Sequence, residues 1–172
     1  PESTLIIVAS KSFSTSETLH NACISKEWMR SSLPDDQVNS RFLAITAKQE
    51  KAVAWGIDSN HCLPLPDSIG GRFSISSPVS LIAASYLGER VYSEFMAGMV
   101  AMDQHFFSSS WAKNIPVVSA LLGIWSVNFL SIPTRVLLPY DSSLSAFVPY
   151  IQQLSMESLG KNRTCQGRST DY

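Results

Sequence analysis

Apolar residues fall along the chain in two kinds of run. Thr4 to Ala9 and Phe42 to Thr46 are short, nearly continuous and rich in β-branched residues, the pattern of strands buried on both faces in a parallel sheet. Longer stretches space their apolar residues three and four apart, as helices do. Val91, Phe95, Met99, Met102 and Phe106 keep that spacing and predict a helix over Val91–Phe107. A first helix is expected from Thr15 to Arg30, where Ser14 and Glu17 stand three apart as in a capping box. Shorter helices are expected over Lys48–Ala54, Pro78–Tyr86 and Ser143–Leu154, the last despite Pro149. Arg135–Tyr140 reads as a further strand and Trp55–Ile57 as a short extended piece. Asn114 to Leu130 reads as a helix buried in a core. Leu33–Asn39, with Pro34, and Asn60–Gly71, with Pro64, Pro66 and two glycines, read as loops.

Strands alternating with helices argue for an α/β layered fold. The two halves differ, however. Residues 1–70 read strand, helix, strand, whereas the middle is almost all helix. The pattern suggests the end of one α/β unit, a helical connector and the start of another. At 172 residues, 45% hydrophobic and 16% charged, the chain can form a packed core, which excludes the disordered class.

Net charge is −1, from 13 Lys and Arg against 14 Asp and Glu, so no broad basic field invites nucleic acid. The uncharged run from Asn114 to Thr134 is the one membrane candidate, but Pro116, Ser119, Ser126, Asn128, Ser131 and Pro133 interrupt it, and no membrane partner is expected. No signal peptide is expected either. Cys23, Cys62 and Cys165 lack the CxxC spacing of a metal or redox site and read as free thiols of a reducing compartment.

Three segments could carry chemistry. The turn after the first strand contains Ser10, Lys11, Ser12, Ser14 and Thr15. A helix starting there points unpaired N–H groups and the positive end of its dipole at a ligand, and the hydroxyls and ammonium complete a phosphate cradle. An ordinary N-cap in a serine-rich turn would look the same. Asp67 to Pro78 holds Gly70, Gly71 and Arg72. Adjacent glycines permit close backbone approach and the guanidinium suits an oxyanion, although a tight turn with a surface arginine is the plain alternative. Glu157 stands at the end of an expected helix among small and apolar residues, where partial burial would raise its pKa toward a general base's. Other residues default to structure. His20 and His105 fall on helices. His61 beside Cys62 is too small a pair for a metal site. Asp103, Gln104 and His105 read as a buried polar network, Trp55, Trp111 and Trp125 as packing residues, and Trp28 as the first helix's inner face.

Taken in order, these segments resemble the glucose-6-phosphate isomerase (phosphoglucose isomerase) family. Ile7 to Thr18 is similar to its phosphate-binding SKTFTTxET segment, and Asp67 to Pro78 to its GGRxS signature. Met102–Phe106, Asn114–Pro116, Leu121–Trp125, Leu138–Asp141 and Gln152–Lys161 resemble further family blocks, collinearly over nearly the whole chain. The resemblance implies a sugar isomerase (SIS) fold, a three-layer α/β unit with a parallel sheet, here partial and with a helical connector. Residues 1–77 would be the C-terminal part of a first sugar isomerase domain, 78–130 the connector and start of a second unit, and 131–172 the truncated beginning of a second domain.

It also implies an activity in glycolysis and gluconeogenesis, the interconversion of glucose 6-phosphate and fructose 6-phosphate through a cis-enediol(ate), with no cofactor and no metal, in a cytoplasmic homodimer. Ser10, Lys11, Ser12, Ser14 and Thr15 would bind the phosphate, Gly71 and Gln153 would line the sugar, Glu157 would move the proton between C1 and C2, and Arg72 would stabilise the developing negative charge. Departures are present. Ser12 and Ser14 replace threonines and keep the hydroxyls, Ser80 stands where a glycine is usual, Leu154-Ser155 replaces Gly-Asp, and Pro66-Asp67-Ser68 replaces a more aromatic approach to the glycines. The family's GTNGQH histidine and its late catalytic lysine have no counterpart, so a roughly middle third of an isomerase, with little activity of its own, is expected. A non-catalytic sugar-phosphate-binding module is the alternative.

Overall fold

The structure, a computed structural model, describes residues 1–170, with the backbone alone at 158 and 159. It divides into two units, Pro1–Glu89 and Arg90–Tyr172. Three parallel strands carry the first: β1 (Ile6–Ala9), β2 (Phe42–Thr46) and β3 (Cys62–Pro64), adjacent in that order. Ile6 lies opposite Phe42, and Ala44 opposite Cys62. The middle strand has neighbours on both edges, and four of its five residues, Phe42, Ala44, Ile45 and Thr46, are buried. That is why its sequence is continuous rather than alternating.

Helix α1 (Ser16–Arg30) follows β1 and turns Ala22 and Met29 into the core. Helices α2 (Asp35–Asn39) and α3 (Gln49–Trp55) add Val38 and Ala52. These residues join Val8, Phe13, Leu33, Phe42, Ala44, Ile57 and Cys62 in one apolar cluster. Trp55 packs edge-on against both Phe13 and Phe42, with ring centroids 6.5 and 5.3 Å away.

Several expectations need correction in this unit. The capping box does not form, because Thr15 rather than Ser14 is the N-cap and makes no side-chain cap bond. The segment 33–39 is not all loop. Pro34 caps α2, where its fixed φ and missing N–H cost nothing, and Val38 is fully buried. Trp55–Ile57 is not extended, since Trp55 ends α3 and Gly56, at φ +112°, closes it in a left-handed conformation that favours glycine. β3 lies inside the expected 60–71 loop. Its three residues are too few to show a period, and it is a strand because β2 offers an edge. Trp28 is about half-exposed rather than inward-facing. After a 3-10 segment over Gly71–Ser76, the unit ends in a second, Pro78–Ser80, and α4 (Leu81–Leu87).

The second unit contains α5 (Glu89–Ser108, whose first residue belongs to the first unit), α6 (Ile115–Leu130) and α7 (Phe147–Gln153), which runs on into a π-helical turn over Leu154–Leu159. Arg135–Tyr140 forms no strand, for no neighbouring strand pairs with it among the described residues. Helix α6 is not buried as expected. Leu121, Leu122, Ile124, Trp125 and Phe129 are all more than half exposed. A helix apolar on every side needs cover on every side, and the described residues do not supply it. Asn114 is the one buried residue of this unit among those described. No helix of the described residues is long and apolar enough to cross a membrane.

Candidate functional site

The turn between β1 and α1 gathers all five residues expected to bind phosphate. β1 hands the chain over at Ser10, whose N–H donates to the Ile45 carbonyl of β2 at 3.0 Å. Ser10 is buried, and its Oγ lies 3.1 Å from Thr15 Oγ1, across the mouth of the turn. Ser14 Oγ donates to Ser12 Oγ at 2.8 Å, and both side chains are exposed. The curl comes from Phe13, at φ +45°, a left-handed conformation unusual for a bulky residue. Its ring is buried against Trp55, and that burial holds the backbone there. Phe13 is a residue sequence reasoning missed, because nothing local distinguishes a turn phenylalanine from a core one. The positive end of α1 faces the turn. Glu17 already answers it, accepting its own backbone N–H and the Ser16 hydroxyl at 3.1 Å, which holds its carboxyl below the usual range.

Lys11 does not point a free ammonium at solvent. Its Nζ donates to the Asp67 backbone carbonyl at 2.6 Å, and Lys48 Nζ lies 3.4 Å from the Asp67 carboxylate. The 66–72 segment, which carries Gly70, Gly71 and Arg72, is therefore tied to the turn of residues 10–15 through Asp67. Arg72 is exposed. Behind it, three buried serines brace the segment. Ser74 Oγ donates to Gly71 O, Ser77 Oγ to Ser74 O, and Ser80 Oγ to Ser77 O, at 2.6, 2.5 and 2.9 Å. Spacing of three residues repeats the bond because 3-10 segments eclipse positions i and i+3. Lys48 was not singled out in the sequence, and Asp67 and the serines were read only as parts of the glycine-containing stretch, although the regular Ser spacing is a visible signal.

Gln153 and Glu157 lie in the second unit and meet each other. Gln153 Nε2 donates to Glu157 Oε2 at 2.8 Å, and Lys161 Nζ donates to the Glu157 carbonyl at 2.9 Å. Glu157 is exposed, so the expected partial burial is corrected. It sits within the π-helical turn, whose i to i+5 bond from Gly160 N–H to Ser155 O measures 2.8 Å. Such turns widen a helix and recur at functional sites.

The remaining candidates are structural. His105 Nε2 accepts the Ile115 N–H at 3.0 Å, and its Nδ1 lies 3.0 Å from Ser109 Oγ. Asp103 and Gln104 are exposed, not a buried network. Trp111 and Trp125 are exposed, 81% and 53%, rather than buried in a core, and Trp125 stacks on Phe129 of its own helix with ring centroids 4.7 Å apart. Burial, with a smaller contribution from Asp58, pushes the Cys62 thiol up. Among the described residues no three His, Cys, Asp or Glu side chains gather as a metal would need.

Parallel strands in sequential order, with a hydroxyl-lined turn at a strand's carboxyl end opening a helix, define an α/β protein of the kind that binds ligands at strand ends. A family model described as phosphoglucose isomerase matches residues 1–172, and the chain belongs to that family. It is 44% identical over 168 residues to the glucose-6-phosphate isomerase, cytosolic A, of Oryza sativa subsp. japonica, covering 97% of this chain and 30% of the relative. It is also 44% identical over 173 residues to the glucose-6-phosphate isomerase of Chlorobium phaeobacteroides, covering 100% and 31%. A crystal structure of a hypothetical protein from Thermus thermophilus matches with a TM-score of 0.76 at 28% identity, covering 97% of this chain and 39% of that one. The chain thus spans about 30% of the length of these curated relatives.

Proposed function

We propose that the protein contributes a sugar-phosphate site to an aldose–ketose isomerase acting on glucose 6-phosphate and fructose 6-phosphate. Ser10, Lys11, Ser12, Ser14 and Thr15 hold the phosphate by hydroxyl, ammonium and first-turn N–H donors. Gly71 and Gln153 line the sugar. Glu157 carries a proton between C1 and C2, and Arg72 stabilises the charge that develops on the enediolate oxygen. The observation that carries this reading is the assembled hydroxyl turn at the head of α1, in a chain matched along its whole length by one isomerase family. The Gln153–Glu157 bond supports the rest, since a carboxylate oriented by a neighbouring amide is how a general base is aimed.

In this reading residues 1–77 close a first sugar isomerase domain, 78–130 form a helical connector and the start of a second unit, and 131–172 open a second domain. The setting is a cytoplasmic homodimer serving glycolysis and gluconeogenesis, in keeping with the cytosolic rice relative. No residue of this chain matches the family's GTNGQH histidine or its late lysine.

Inorganic phosphate and fructose 6-phosphate, titrated into the 172-residue chain, should move the backbone amide resonances of Ser10–Glu17. Ser10→Ala with Thr15→Ala should weaken both ligands several-fold. A coupled dehydrogenase assay should detect little or no fructose 6-phosphate turnover by this chain. Amides of the turn that ignore phosphate, or turnover near that of a complete isomerase, would overturn the respective halves of the reading.

A further inference from the structure

We propose that Lys48 is a further phosphate-contacting residue of this site, kept in reserve by Asp67. The inference rests on the reading of the serine-rich turn as the phosphate cradle. Two ammonium groups from separate segments converge on one acidic residue, Lys11 on the carbonyl of Asp67 at 2.6 Å and Lys48 on its carboxylate at 3.4 Å. The backbone under Lys48 is fixed as well. Lys48 N–H donates to Thr46 Oγ1 at 3.0 Å, and that hydroxyl donates to the Lys11 carbonyl at 3.1 Å. Ala47 N–H donates to the same Lys11 carbonyl at 3.0 Å. Thr46 is fully buried, so the strand end holds the start of α3 directly against the phosphate turn. Lys51 closes on the turn too, donating to the Ser12 carbonyl at 3.2 Å. Lys48 and Lys51 thus stand on a segment held against the turn of residues 10–15, and Asp67 receives Lys11 on its backbone carbonyl and is the counter-ion of Lys48.

Asp67 is a weak competitor for those cations. Its side chain is 70% exposed and that of Lys48 is 42% exposed, and exposed pairs of this kind contribute little. A phosphate monoester brings nearly two negative charges and three strong acceptor oxygens. Seated on the hydroxyls, it takes the Lys48 ammonium from Asp67, because the charge-assisted bond to phosphate is the stronger. The exchange loosens the 66–72 segment at its side-chain anchor, while the Lys11 bond to the Asp67 carbonyl keeps Arg72 near the turn. Phosphate binding and the freedom of the Arg72 segment are thereby coupled.

Inorganic phosphate binding to the full 172-residue chain tests this at low ionic strength, with Lys48→Gln, Asp67→Asn, the double variant, and Glu27→Gln as a remote charge control. Glu27 lies eleven residues along α1 from Ser16, about 16 Å by helical rise. Lys48→Gln should weaken phosphate about two- to fivefold and Asp67→Asn should tighten it by a similar factor, the size of one exposed charge contact. Glu27→Gln should change it much less. The gain from Asp67→Asn should shrink when Lys48 is already gone. Wild-type binding with both variants unchanged, or shifted in the same direction, would overturn the role of Lys48 and leave the phosphate turn standing. Wild-type chain that takes up no phosphate would overturn both.

Discussion

At the scale of single residues, the chain spends much of its charge on its own backbone. Glu17 shows it most clearly. Its carboxyl is held low first by its own backbone N–H and then by the Ser16 hydroxyl, at the end of α1 where the helix dipole favours an anion. A carboxyl depressed in the folded state contributes stability above its unfolded value, ordinarily near 4.5, and that stability is lost as pH falls through the folded value. Urea midpoints measured from about pH 7 to about pH 3 should therefore decline on the acid side, and Glu17→Gln should flatten the decline. An unchanged acid slope in the variant would show that the contact does not matter. Phe13 makes the complementary point, since a residue in a left-handed turn persists where burial of its ring offsets the backbone cost.

Helix ends govern stability at the scale of elements. Helix α6 has little of its own surface covered, so its start matters more than its sides. Asn114 Oδ1 accepts the Val117 N–H at 3.3 Å and its Nδ2 donates to the Phe106 carbonyl at 2.7 Å, with the side chain almost fully buried. One residue thus caps α6 and ties it to the C-terminal turn of α5, beside the His105–Ile115 bond. Asn114→Ala should lower stability by about 1 to 2 kcal/mol, the loss of an N-cap and of a buried bond, read as a lower midpoint in helix-detected unfolding. Elements such as α1, β2 and α5 were legible because their signals lie within the element: a 3.6-residue period, or a β-branched run. α2 and β3 were not. Five and three residues hold too little of either period, and each exists because of a partner, the Val38 pocket for one and the open edge of β2 for the other.

For the whole molecule, burial is uneven. The first unit holds the apolar cluster from Val8 to Cys62, whereas Asn114 is the one buried residue of the second among those described. Protection against amide exchange follows burial and local cooperativity. Amides of β2 and the Ala22–Met29 stretch of α1 should be the slowest to exchange, and those of α6 and α7 should exchange roughly tenfold faster or more under the same conditions. Equal protection in α6 and β2 would mean that the second unit is covered by contacts other than those described.

The sequence by itself determined the α/β class, the order of the main elements, the family, and the gathering of Ser10 to Thr15 in one turn, because each of these is written in local spacing or in motifs that run unbroken along the chain. Only the tertiary structure decided that Asp67 ties Lys11 and Lys48 together, that Phe13 bends the turn, that Glu157 is exposed beside Gln153, and that α6 stands uncovered by the described residues. Those facts depend on which distant segments meet. Such meetings are set by the competition for buried surface and hydrogen-bond partners across the fold, which no window of neighbouring residues records.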